Sequence, residues 1–138
     1  MNHPKCGIVI HNIEHARAAL RASSATKIPI AVISAPYAGC YAGVSWFLKI
    51  EEKVRKEFSK SKAIFILDCG DEPGIALEAF RLGVKFIFLK GSKKIIKKVS
   101  EIGAKKKSAL YQKKIQILDL KNKISFLEQC EIWLSRKN

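Results

Sequence analysis

Asp68 ends an apolar run and opens the polar segment Asp68-Cys-Gly-Asp-Glu-Pro-Gly74. A carboxylate at the end of a strand can bind a hydroxyl or serve as a general base. With Asp71 and Glu72 it has the composition of a Mg²⁺ set. Asp71 and Glu72 also stand where the first turn of a helix favours acids, and capping alone accounts for their type. Cys40 and Cys69 are the candidate nucleophiles, because a thiol near a helix N-terminus can ionise more easily. No histidine is close in sequence to activate either one, and free cysteines commonly pack as small hydrophobes. The catalytic candidates are therefore Asp68, Cys40 and Cys69.

A second loop, Ser34-Ala-Pro-Tyr-Ala-Gly-Cys-Tyr-Ala-Gly43, has Gly39 and Gly43 bracketing Cys40 and Tyr41 just before a strongly helical stretch. Small residues let backbone amides approach an anion, and a helix N-terminus favours one. The loop matches neither dinucleotide nor P-loop spacing. Nor is it a Cys-x5-Arg loop, since Trp46 stands where the arginine would be. Lys90 and Ser92 follow a further apolar run; Lys90 can hold an anion or pair with Asp68. The expected ligand-binding set is Ser34, Tyr37, Gly39, Cys40, Tyr41, Gly43, Asp68, Asp71, Lys90 and Ser92, suited to an anion that carries hydroxyls. No cofactor is indicated. His11-x-x-x-His15 has the spacing of a helical metal pair, but His11 falls at a strand end and ligands are few, so no metal site is expected.

Five apolar runs predict strands at residues 7–10, 29–34, 63–68, 85–89 and 114–118. Several are continuous rather than alternating, as in a parallel sheet covered on both faces. Helical patterns separate them at 12–22, 44–58, 72–82 and 93–102, and a last one follows Ser125-Phe-Leu-Glu128, which has capping-box spacing. Val44, Phe47, Leu48, Val54 and Phe58 form one stripe of the second helix. Gly103 is expected to end or kink the fourth, and 104–113 is unassigned. The predicted architecture is a single α/β domain over 1–138. It is a three-layer α/β/α sandwich with an open parallel five-stranded sheet, in flavodoxin-like (2-1-3-4-5) or Rossmann-like (3-2-1-4-5) order, too few strands for a closed eight-stranded barrel. Such a sheet delivers the loops after its strands to one edge, which is why the candidate residues belong together.

Ala-Leu-Glu-Ala-Phe-Arg-Leu-Gly-Val-Lys-Phe-Ile-Phe-Leu-Lys-Gly, ending at Gly91, resembles the βα units of many phosphate-binding and aldolase-like α/β enzymes. The resemblance covers about 18 residues, Gly74–Gly91, and implies a helix packed on a sheet followed by a strand. It names no family.

Charge supplies a competing reading. The 138 residues carry a formal +14. Residues 1–84 hold 11 basic and 8 acidic side chains, whereas 85–138 hold 15 and 4. A Lys-rich C-terminal third can contact nucleic acid or an acidic partner. The chain has 21 Lys but only 5 Arg, and Arg is the residue suited to bidentate phosphate and guanine recognition. The same bias follows from AT-rich codon usage, so any nucleic-acid binding is expected to be weak and non-specific. Self-association is a third possibility. There is no apolar run of the roughly 18 residues a membrane helix needs. No export signal opens the chain, and four scattered cysteines without Cys-x-x-Cys fit reduced thiols. The expectation is a cytoplasmic protein with no membrane partner.

Overall fold

The computed structural model describes residues 3–137. The elements are β1 (Cys6–Ile10), α1 (Ile13–Thr26), β2 (Ile30–Ser34), α2 (Ala38–Tyr41), α3 (Val44–Glu57) and β3 (Ile64–Asp68), then α4 (Pro73–Leu82), β4 (Phe86–Phe88), α5 (Lys93–Lys105), β5 (Ala109–Leu110), β6 (Gln116–Asp119) and α6 (Phe126–Ser135). The protein is an α/β fold with flanking helices and a six-stranded all-parallel sheet, in the order β5-β4-β3-β2-β1-β6.

The parallel α/β class is as expected; the strand count and order differ. From β1 to β5 each strand lies beside its predecessor, and β6 takes the outer side of β1. In both expected orders the progression reverses at β1 within the first five strands. Here β6 occupies the place that reversal would have filled. The sixth strand is β5, two residues inside the unassigned 104–113 segment, and β6 starts two residues later than expected. No helix among the described residues is long and apolar enough to cross a membrane.

The chain divides into two compact units. The first comprises Met1–Ile33, Ile50–Ile64 and Lys113–Asn138. In it β1 is buried along its whole length and runs parallel to β6, with Val9 in register with Asp119. Helix α1 starts at Asn12, whose side chain accepts the His15 N–H, and its Ala16, Ala19 and Ala22 are fully buried. Helix α6 lies against α1. Arg17 ties the α1 surface to the end of α3, donating to Glu57 through Nε (2.8 Å) and a terminal nitrogen (2.9 Å), and also pairs with Glu14. Ser125 occupies the N-cap of α6 in a left-handed conformation and makes no side-chain cap bond, so the expected capping box does not form.

The second unit comprises Ser34–Lys49 and Phe65–Gln112. Its strands pair in the order β3-β4-β5, with Leu67 opposite Ile87 and Ile87 opposite Leu110. Phe47, fully buried on α3, meets Phe65 edge-on at 6.0 Å. Of the α3 stripe, Val44 here and Val54 in the first unit are buried as expected, whereas Leu48 here and Phe58 in the first unit are half-buried. Helix α5 passes through Gly103 without stopping, because a close neighbour rather than a turn requires glycine there. A Cβ on Gly103 would lie 2.8 Å from two ring carbons of the buried Phe80.

Candidate functional site

The expected site residues all fall in the second unit, in the loops after β2, β3 and β4. Their organising group is the Asp68 carboxylate. Its Oδ1 accepts the Gly70 N–H at 2.8 Å and the Tyr37 N–H at 3.2 Å, so one oxygen fastens two loops. The backbone beneath is fixed as well. Ser34, buried at the end of β2, accepts the Asp68 N–H on Oγ at 2.8 Å and donates to the Ala35 carbonyl at 3.2 Å. The Gly70 carbonyl accepts the Lys90 N–H at 2.8 Å, and the Phe88 carbonyl accepts the Cys69 N–H at 2.9 Å.

Tyr37 and Gly70 are both left-handed, with φ of 63° and 60°. The Tyr37 ring lies so close to Gly70 that a Cβ there would overlap its ring carbons. The Lys90 ammonium is 5.8 Å from the centroid of the same ring, within the range of a cation–π attraction. Among the described residues no carboxylate lies within ion-pair distance of Lys90; the expected pairing with Asp68 does not form. Gly39 serves close approach, since a Cβ would meet the Asp68 carbonyl at 3.0 Å. The result is a cluster of Ser34, Tyr37, Gly39, Asp68 and Lys90 in which a half-exposed ring and a cation face solvent over a hydrogen-bonded floor.

Other expected residues have separate roles. Gly43 stands at φ 95° with open space around it, so its conformation rather than its size explains glycine. Tyr41 is exposed. Ser92 caps α5, accepting the Ile95 N–H. Asp71 is exposed, and Glu72 occupies the N-cap of α4 without a side-chain cap bond, so the expected capping by these acids is not through their carboxylates. The exposed Cys40 points its Sγ at the Cys69 carbonyl, 3.5 Å away. Desolvation, then Glu72, Asp71 and Asp68, push its thiol up. Burial, then Asp68 and Cys40, push the buried Cys69 thiol up to about 12. Both shifts run opposite to what a nucleophilic thiol needs.

Two further features lie in the first unit. A groove of about 460 Å³ is lined by Leu20, Ser23, Lys27, Phe58 and Lys60 among others. Its rim includes the segments that lead into β2 and β3, away from the strand ends that sequence patterning favours. The other is a pairing of His11 with Asp119, 2.7 Å apart. Sequence reasoning places His11 at a strand end but has no means of joining residues 108 positions apart. Of the two histidines with helical metal-pair spacing, His15 is buried, and its Nδ1 accepts the His11 backbone N–H at 3.0 Å.

No protein-family model matches the chain, and no curated protein matches it. Solved structures do. One is the crystal structure of a protein from Coccidioides immitis described as a fructose-1,6-biphosphate aldolase, with a TM-score of 0.65 and 20% identity. The match covers 78% of this chain and 40% of that one, so the chain spans less than half the length of the protein it matches. At that identity the likeness is one of fold, a parallel α/β sheet with flanking helices.

Proposed function

We propose that the loops 34–43, 68–74 and 90–92 bind a small anionic or phosphorylated metabolite. The observation that carries this reading is Lys90, a cation with no carboxylate partner among the described residues, held over Tyr37 beside a carboxylate already fixed by two backbone N–H groups. An anion would take the ammonium. Hydroxyls of the same ligand would find the Tyr37 phenol and the remaining lone pairs of Asp68. The fungal protein of similar fold is named for a phosphorylated sugar, which supports the same ligand class. A thermal-shift screen of phosphorylated metabolites, with fructose 1,6-bisphosphate and inorganic phosphate included, tests it. Ligands are expected to raise the Tm of the parent and not of Lys90→Ala. Equal stabilisation of both, or stabilisation abolished only by Lys27→Ala or Lys60→Ala in the groove, refutes the assignment.

A second reading rests on α5. Its Lys93, Lys94, Lys97 and Lys98 are exposed and, among the described residues, make no ion pair. Such a face suits a polyanion held through phosphates, with counterion release and no base readout. Unrelated oligonucleotides should then bind alike and weaken together as salt rises.

A further inference from the structure

We propose that His11 and Asp119 form an acid–base dyad in the first unit, with Nδ1 of His11 as the atom that takes a proton from a bound substrate. Four observations support this. His11 immediately follows Ile10, the last residue of β1, and Asp119 is the last residue of β6, the strand paired with β1. Both therefore stand at carboxyl ends of neighbouring parallel strands, where α/β folds carry their chemistry. The His11 Nε2 to Asp119 Oδ1 distance of 2.7 Å is that of a charge-assisted bond. The Lys121 N–H donates to the same oxygen at 2.8 Å, so the carboxylate is itself anchored. The imidazole is also held from the side. The His11 backbone N–H donates to Nδ1 of His15, and the His15 ring stands edge-on to His11 at 5.7 Å and against Phe126 at 4.3 Å.

These contacts determine the tautomer. An ionised Asp119 accepts, so Nε2 of His11 carries the hydrogen and Nδ1 of the neutral ring presents a lone pair. Among the described residues nothing hydrogen-bonds to Nδ1, and the side chain is 25% exposed. In the step, an O–H bond of the substrate or of a water breaks and its electron pair stays on oxygen. The proton goes to Nδ1, and Asp119 stabilises the resulting imidazolium. The reverse transfer restores the ring. Anchored carboxylate, fixed tautomer and a ring nitrogen that makes no hydrogen bond among the described residues are the parts of a general base. The proposal is independent of the Lys90 site.

Hydrolysis of p-nitrophenyl acetate by the full chain tests it, with water as the second reactant. Nδ1 takes a proton from water, the water oxygen bonds to the acyl carbon, and p-nitrophenolate leaves. The parent is expected to exceed free imidazole at equal concentration by at least about tenfold. His11→Gln should lose that excess, while His3→Gln keeps it. Asp119→Asn should lower kcat with KM unchanged, a split that a merely structural role would not produce. Circular dichroism confirms that each variant is folded. If His11→Gln destabilises the chain, carbethoxylation of the parent by diethyl pyrocarbonate replaces it, and the hydrolytic excess should disappear as His11 is modified. A parent no faster than imidazole, or a hydrolytic rate unchanged when His11 is replaced or modified, overturns the proposal.

Discussion

Gly103→Ala sets two opposed effects against each other in one helix. In an exposed helix interior the change would stabilise by about 1 kcal/mol, through helix propensity and reduced freedom of the unfolded chain. Here the added carbon meets Cε2 and Cζ of Phe80 at 2.8 Å and the Ser108 carbonyl at 3.2 Å. Ordinary contact begins near 3.4 Å, so the ring must retreat by more than half an ångström. Phe80 is 3% exposed and cannot swing into solvent, and the carbonyl blocks the shift of α5 that would spare it. Overpacking of this kind costs about 1–3 kcal/mol, and with so rigid an obstacle the upper half of that range applies. The net expectation is a loss of about 1–2 kcal/mol, read as a lower urea midpoint at unchanged slope. Phe80→Leu alone should cost about 1–2 kcal/mol as a truncation of a buried ring. In the double variant the two losses should not add, with a favourable coupling near 1 kcal/mol. A Gly103→Ala protein more stable than the parent, or strict additivity in the cycle, refutes the reasoning.

Other outcomes follow from the same packing and electrostatics. Phe47→Ala, which empties a fully buried position against Phe65, should cost about 3–5 kcal/mol in urea unfolding. Asp68→Ala should lower stability more than Asp68→Asn, since an amide oxygen still accepts the Gly70 and Tyr37 N–H groups; equal melting temperatures would discount the loop-fastening role. Burial first, then His11, lowers the His15 pKa below 6.5. The folded state thus disfavours the protonated ring, and this contribution is complete above pH 6.5 and lost as pH falls towards the folded value. His15→Gln should therefore show a smaller loss of stability on acidification below pH 6.5, measured by Trp fluorescence during denaturation. Asp119 opposes its own desolvation with the Lys121 N–H and His11, leaving its pKa below 3.8. Its contribution should persist down to about that pH and disappear below it, a step absent in Asp119→Asn.

Five of the six strands were legible, β1 to β4 because each is a compact block of Ile, Val or Phe, as in Ile30–Ser34 and Ile64–Asp68. Strand β5 was not, because two residues, one of them the exposed Ala109, carry no periodicity. Strand order was not legible either, since the choice of β6 as the neighbour of β1 depends on partners more than 100 residues apart. At the candidate site, patterning located Ser34, Tyr37, Asp68 and Lys90 through the rule that polar loops follow parallel strands. It did not reveal that Ser34 and Asp68 act on backbone N–H groups, because such partners leave no mark in residue type. The bond between His11 and Asp119 shows the same limit, being visible only in three dimensions.

The contact between Tyr37 and Gly70 links two positions in mutational drift. Any side chain at position 70 would enter the space of the Tyr37 ring, and at φ 60° most residues would be strained besides. Position 70 can therefore vary only after position 37 has shrunk, and then chiefly to asparagine or aspartate, which tolerate that conformation. Shrinking Tyr37 first removes the ring beneath the Lys90 ammonium. The permitted order of substitutions thus passes through a protein with an altered cation site, so that in descendants of this chain the two positions should change together, and seldom.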